Sequence, residues 1–355
     1  MKRKFRVFIT VLIVILTNFL ITSNIFPQTP ELWGMTMEGG DYNAGTIFKT
    51  NANGDLHTVV HSFFNYEGGV PKFSKLLKAS NGKLYGMTSS MGSNDIGVIF
   101  EYDIITNSYI KILDFDGANM GRRPMGSLMQ ATNGKLYGMT NYGGIIGLGV
   151  LFEYDITNNI FIKKVDFDGS NKGRCPTGNL IEANNGKLYG ITSEGGTYNS
   201  GVLFEYDYAT NIFIKKIDFD GTNKGKNPAG SLTQASNGKL YGVTSHGGIN
   251  IGIGGFGCGV LYEYDPDSNI YVKNLDFNGV NYGNNPTNSL LQTSNGVLYG
   301  MTDRGGSVDY GVLFEYNIVS KSYTKKLDFN EAINGKLPYG NLMLASNGKL
   351  YGLNI

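Results

Sequence analysis

Few residues in this chain are of types that do chemistry. Its three histidines, His57, His61 and His246, and its two cysteines, Cys175 and Cys258, include no cysteine or second histidine at ligand spacing, so a copper or zinc centre is not expected. There is no Gly-x-Ser-x-Gly elbow and no phosphate-cradling glycine loop. Acids recur as Glu153-Tyr154-Asp155 and its copies; one residue apart, they point to the same face of a strand. A pair repeated in every unit reads as a strand-end feature rather than a glycosidase dyad. A second acidic motif, Asp-Phe-Asp-Gly-x-Asn, occupies 114–119, 166–171 and 218–223. Its oxygens suit calcium as a cofactor. But the glycine comes early, no bidentate glutamate follows, and later copies read Asp276-Phe277-Asn278-Gly279 and Asp328-Phe329-Asn330-Glu331. An Asx turn is the simpler expectation.

The binding candidates are basic. Arg122, Arg174, Lys226 and Lys336 each stand two residues before a proline; Asn284 interrupts the series and Arg123 adds a charge. A partial cationic ring of this kind suits a carboxylate, a sulfate or an acidic glycan. The competing reading is a set of solvated loop charges whose stems cover aromatic rings.

What must position these residues is a repeat. Leu-Tyr-Gly, once Leu-Trp-Gly, places its glycine at Gly34, Gly86, Gly138, Gly190, Gly242, Gly300 and Gly352, at intervals of 52 residues except for one of 58. A period near 50 belongs to solenoids and propellers. In the unit from Gly126 to Phe167, a short strand a (127–131) is closed by Asn133-Gly134, a hairpin signal of the type I′ kind, and followed by strand b (135–140). A glycine-rich loop precedes strand c (150–155), where Val150, Phe152 and Tyr154 alternate with Leu151 and Glu153, as in a strand with one face more buried. A short turn leads to strand d (161–167), and a longer loop to the next unit. Four antiparallel strands per unit predict an all-β fold, a β-propeller of four-stranded blades.

The strand order resembles a Kelch blade. More closely, Asp-Gly-x-Asn, Leu-x-x-Ala-x-Asn-Gly-Lys-Leu-Tyr-Gly, Gly-Gly and Gly-Val-Leu-Phe resemble the bacterial GloVer (Gloeobacter/Verrucomicrobia) tandem repeat, from Leu32 to Tyr351. That resemblance implies a surface-exported protein and says little about activity.

Six blades need the fewest gaps: the last a strand would join the opening b, c and d strands and leave one b strand over. An incomplete seventh blade is the alternative. In either arrangement the b-to-c and d-to-a loops share one face, the expected binding face. The 58-residue interval arises from extra residues in the fifth unit, 247–259, expected to form an irregular flap exposing Ile253 and Phe256. It carries Cys258; Cys175 lies in a loop of the same face, where a disulfide needs the flap to fold back and two free thiols need nothing.

Residues 1–28, a basic start followed by an apolar run, read as a signal peptide or an N-terminal anchor, leaving 29–355 as one domain. Lysine and arginine number 30 against 29 acids, so no global field draws the protein to nucleic acid or an anionic membrane. A secreted or cell-surface, monomeric, non-enzymatic propeller that binds a surface protein or glycan is the expectation, with a carbohydrate-active hydrolase or lyase as the alternative. The chain stops three residues after a repeat motif, without a visible sorting tail.

Overall fold

A computed structural model describes residues 31–355, apart from 73, 253–254, 339, 346–347 and 353–355. The expected leader and Ile253 lie outside the described residues.

Each unit begins with its hairpin. In the third unit strand a (Met129–Gln130) turns into strand b (Leu136–Thr140), with Gly134 N–H donating to Ala131 O at 2.9 Å. The type I′ expectation is corrected here: Gly134 takes φ 80°, but Asn133 stays out of the left-handed region, so the turn carries a glycine bulge instead. The asparagine side chain gives the reason, because from this position Oδ1 accepts Lys135 N–H at 3.0 Å and Nδ2 donates to the Tyr137 hydroxyl at 2.9 Å. Strands c (Val150–Asp155) and d (Ile160–Asp166) complete the sheet in the order a-b-c-d.

Gly138 on strand b lies opposite Phe152 on strand c, and a Cβ at Gly138 would stand 2.5 Å from Phe152 Cζ. The glycine of Leu-Tyr-Gly is thus the floor on which the strand c aromatic lies. Strand c is not one-sided: Val150, Leu151, Phe152, Glu153 and Tyr154 are all buried, since this sheet is packed between two others. Buried side chains gather into six clusters, each joining consecutive sheets, and none among the described residues joins the last sheet to the first. Of the paired acids, Asp155 is the expected strand-end feature, accepting N–H from Thr157 and Asn158 at 2.9 and 3.1 Å, but its partner belongs to the interior. Glu153, 3% exposed, accepts from Lys135, Lys164 and Tyr137 at 2.8, 3.1 and 2.8 Å.

A backbone latch also ties each sheet to the next. The residues before the prolines, Val70, Arg123, Cys175, Asn227, Asn285 and Leu337, have φ between 47 and 57°. That turn sends each N–H back to the b-to-c loop of the preceding sheet, as Arg123 N–H does to Ile96 O at 2.9 Å and Asn285 N–H to Cys258 O at 3.1 Å.

The described residues form seven sheets: a three-stranded first, five of four strands and a two-stranded last. The chain is a β-propeller of the incomplete-seven kind, and the expected closure by six blades is corrected. The last a strand, Met343–Leu344, pairs with its own neighbour Leu350–Tyr351 and not with the opening strand Glu31–Thr36. A short hairpin loop closes at a far smaller entropic cost than the joining of chain ends. In consequence Leu32 and Trp33 stay half-buried and Tyr351 is exposed, whereas their counterparts Leu136 and Tyr137 are fully buried.

Candidate functional site

The b-to-c and d-to-a loops pack on one another at one face, as where Gly144 N–H donates to Gly117 O at 2.8 Å. Two of the predicted basic residues there are matched internally. Arg174 pairs with Glu194 at 2.8 Å, and Lys336 pairs with Glu331 while standing 5.9 Å from the centre of the Tyr310 ring. Arg122 and Arg123 are exposed, and no carboxylate of the described residues lies within ion-pair distance of either. The predicted ring is therefore reduced to an open Arg122–Arg123 pair and Lys226.

Lys226 lies opposite His246 across the first two strands of the fifth sheet. The His246 ring meets Phe256 edge-on with centres 5.9 Å apart, and its Nδ1 lies 2.8 Å from Ser245 Oγ. Burial, and then the charge of Lys226, holds His246 below the usual imidazole range. The insertion is an irregular flap, pinned by Gly247 N–H to Phe256 O at 2.8 Å and by Asn250 Nδ2 to Phe277 O at 2.9 Å. It exposes Ile249, Ile251 and Phe256. Lys226 and Phe256 are thus brought together through His246, a grouping that residue spacing did not suggest.

The two cysteines are free thiols, so the possible disulfide between Cys175 and Cys258 is not made. Cys258 is 1% exposed in the cluster between the fifth and sixth sheets, while Cys175 is a strand residue whose amide is tied to Leu148 O. The flap closes on itself and does not carry Cys258 toward its partner. The leading side chain of each Asp-Gly-x-Asn motif closes its own loop, reaching three and four residues on rather than the two of an Asx turn: Asp116 Oδ1 accepts N–H from Asn119 and Met120 at 2.8 and 2.6 Å, and Asn278, uncharged, makes the same bonds.

Spacing also left the axis unread. The inner segments of six sheets line a cavity of 420 Å³. Around it runs a chain of bonds in which each backbone N–H donates to a side chain of the next sheet: Lys75 to Ser127 Oγ, Ser127 to Asn179 Oδ1, Asn179 to Ser231 Oγ, Ser231 to Ser289 Oγ and Ser289 to Asn341 Oδ1, all between 2.6 and 2.8 Å. Lysine stands where the other units have serine or asparagine, a difference that aligning the repeats exposes. Glycines allow the approach: a Cβ at Gly126 would stand 2.2 Å from Gly178 O.

Comparison with known proteins agrees with this architecture. Among curated proteins none matches the sequence. Among solved structures, a candidate 6-phosphogluconolactonase from Bacteroides uniformis superposes with a TM-score of 0.59 at 16% identity, over 91% of this chain and 89% of that one. The extracellular domain of a candidate one-component system from B. thetaiotaomicron gives 0.58 at 13%, over 92% of this chain and 38% of that one. Oligogalacturonate lyase from Vibrio parahaemolyticus gives 0.50 at 12%, over 79% and 72%. This chain therefore spans well under two thirds of the one-component system domain, and at such identities the likeness is one of fold. The model of the Gloeobacter/Verrucomicrobia repeat matches residues 25–256 and 223–354, and the chain belongs to that family.

Proposed function

We propose that the protein is an exported, non-enzymatic binding module that meets a surface protein or an acidic glycan through its long-loop face. The observation that carries this reading is the flap, which exposes Ile249, Ile251 and Phe256 and sets Phe256 against His246, opposite Lys226, on a latched scaffold. An apolar patch rimmed by charge is the usual form of a contact surface. The likeness to an extracellular domain supports export, and among the described residues no helix is long and apolar enough to cross a membrane. The test is a glycan array probed with the full chain, then with Arg122→Ala and Phe256→Ala. Binding should weaken with salt, because exposed charges are screened within about 8 Å at physiological ionic strength. Salt-insensitive binding that survives both changes counts against the proposal.

A second reading, a carbohydrate-active hydrolase or lyase, is favoured by Asp303. This residue is 7% exposed, accepts from Thr287 Oγ1 at 2.7 Å and Asn285 Nδ2 at 3.3 Å, and is pushed up to about 6 by burial. A carboxyl near neutrality can hold or give a proton. Release of reducing ends from an acidic polysaccharide, abolished by Asp303→Asn, would favour it.

A further inference from the structure

The bonds around the axis use up one half of each polar side chain. Ser231 and Ser289 accept a backbone N–H at Oγ, and Asn179 and Asn341 accept one at Oδ1. Their hydrogens stay unused: two hydroxyl protons and two amide NH2 groups donate to no other group among the described residues, while each oxygen has already accepted one N–H. Ser74, also at the cavity, has a buried Oγ with no hydrogen-bond partner. Lys75 completes the lining with an ammonium, which has donors and no acceptor.

No carboxylate lines the cavity, and among the described residues none forms an ion pair with Lys75. Burial holds its ammonium below the usual lysine range. Lys75 is nevertheless exposed, so its ammonium is reached by solvent from the cavity.

We propose that the axial cavity is a binding site for a small oxyanion, a carboxylate or phosphate group held by Lys75 and by the donors of Ser74, Asn179, Ser231, Ser289 and Asn341. An acceptor-only group is the complement of these unused hydrogens and of the ammonium, and charge-assisted bonds are the strong ones. The site needs one negative charge because the lining supplies one positive charge. It lies on the axis, apart from the flap, so it stands or falls independently of the loop-face reading.

The test uses the full chain and four probes in titration calorimetry: acetate, inorganic phosphate, glucuronate, and glucose as the uncharged counterpart of glucuronate. Glucuronate should bind and glucose should not; acetate and phosphate separate the two oxyanion classes. Lys75→Met should weaken glucuronate binding about tenfold or more, as loss of a charged hydrogen bond does. Lys75→Arg should retain it, and Lys78→Met should leave it unchanged. Should Lys75→Met fail to fold, the wild type supplies a second measurement: a bound anion protects Lys75, and not Lys78, from acylation read by mass spectrometry. No binding of any anion, equal binding of glucose and glucuronate, or acylation of Lys75 unaffected by a bound anion would overturn the proposal.

Discussion

Lys321 reaches from the sixth sheet to Glu263 in the fifth, with Nζ 2.5 Å from Oε2. Lys239 holds the other oxygen at 2.7 Å, and Tyr241 and Asn274 donate at 3.0 and 3.2 Å. Glu263 is 2% exposed. Burial alone would raise its carboxyl, but the four donors outweigh burial and bring it down from 4.5 to about 2. This copy of the repeated glutamate ties two blades, whereas Glu153 and Glu205 bond within their own sheets.

A folded value below the unfolded one contributes stability that is complete above pH 4.5 and lost as pH falls toward 2. Urea midpoints should therefore drop steeply across that window. Glu263→Gln should be less stable at pH 7 and should flatten that part of the profile. A variant with the wild-type profile would mean the ion pair contributes nothing.

Phe152 and Gly138 should behave as one unit. Phe152→Ala is expected to cost about 3 to 5 kcal/mol through lost burial and a cavity. Gly138→Ala should cost about 1 to 3 kcal/mol, because the new Cβ has no room under the ring. In a Phe152→Leu background the glycine change should cost less than in the wild type, as read by equilibrium unfolding.

Val70 holds φ 52° although it is β-branched, where the equivalent positions of two later units use Asn227 and Asn285. Asparagine tolerates the left-handed region and valine does not. Val70→Asn should stabilise the protein by about 1 kcal/mol, seen as a raised melting temperature. A lowered one would show that the valine side chain packs more than it strains.

The cysteines should differ in rate. With Cys258 1% exposed and Cys175 partly accessible, a thiol reagent should modify Cys175 in the native state and reach Cys258 only on unfolding. Intact mass should show both thiols reduced, and a mass two hydrogens lower would restore the disulfide.

The period of Leu-Tyr-Gly, the Asn-Gly hairpins and the alternating strands were enough to read the all-β fold and the order of strands, because hairpins are local and each repeat states its own register. The same local patterns showed which loops share a face. Tertiary structure decided the rest. Whether Arg174 is free depended on Glu194 across the hairpin, and whether Glu153 is buried depended on sheets packed against both of its faces. Closure was settled by a competition between two b strands for one edge, which no single repeat contains. The lining at the axis belongs to six sheets at once. A residue such as Lys75 appears in sequence as one departure from a repeat, and only convergence on an axis turns that departure into an electrostatic site.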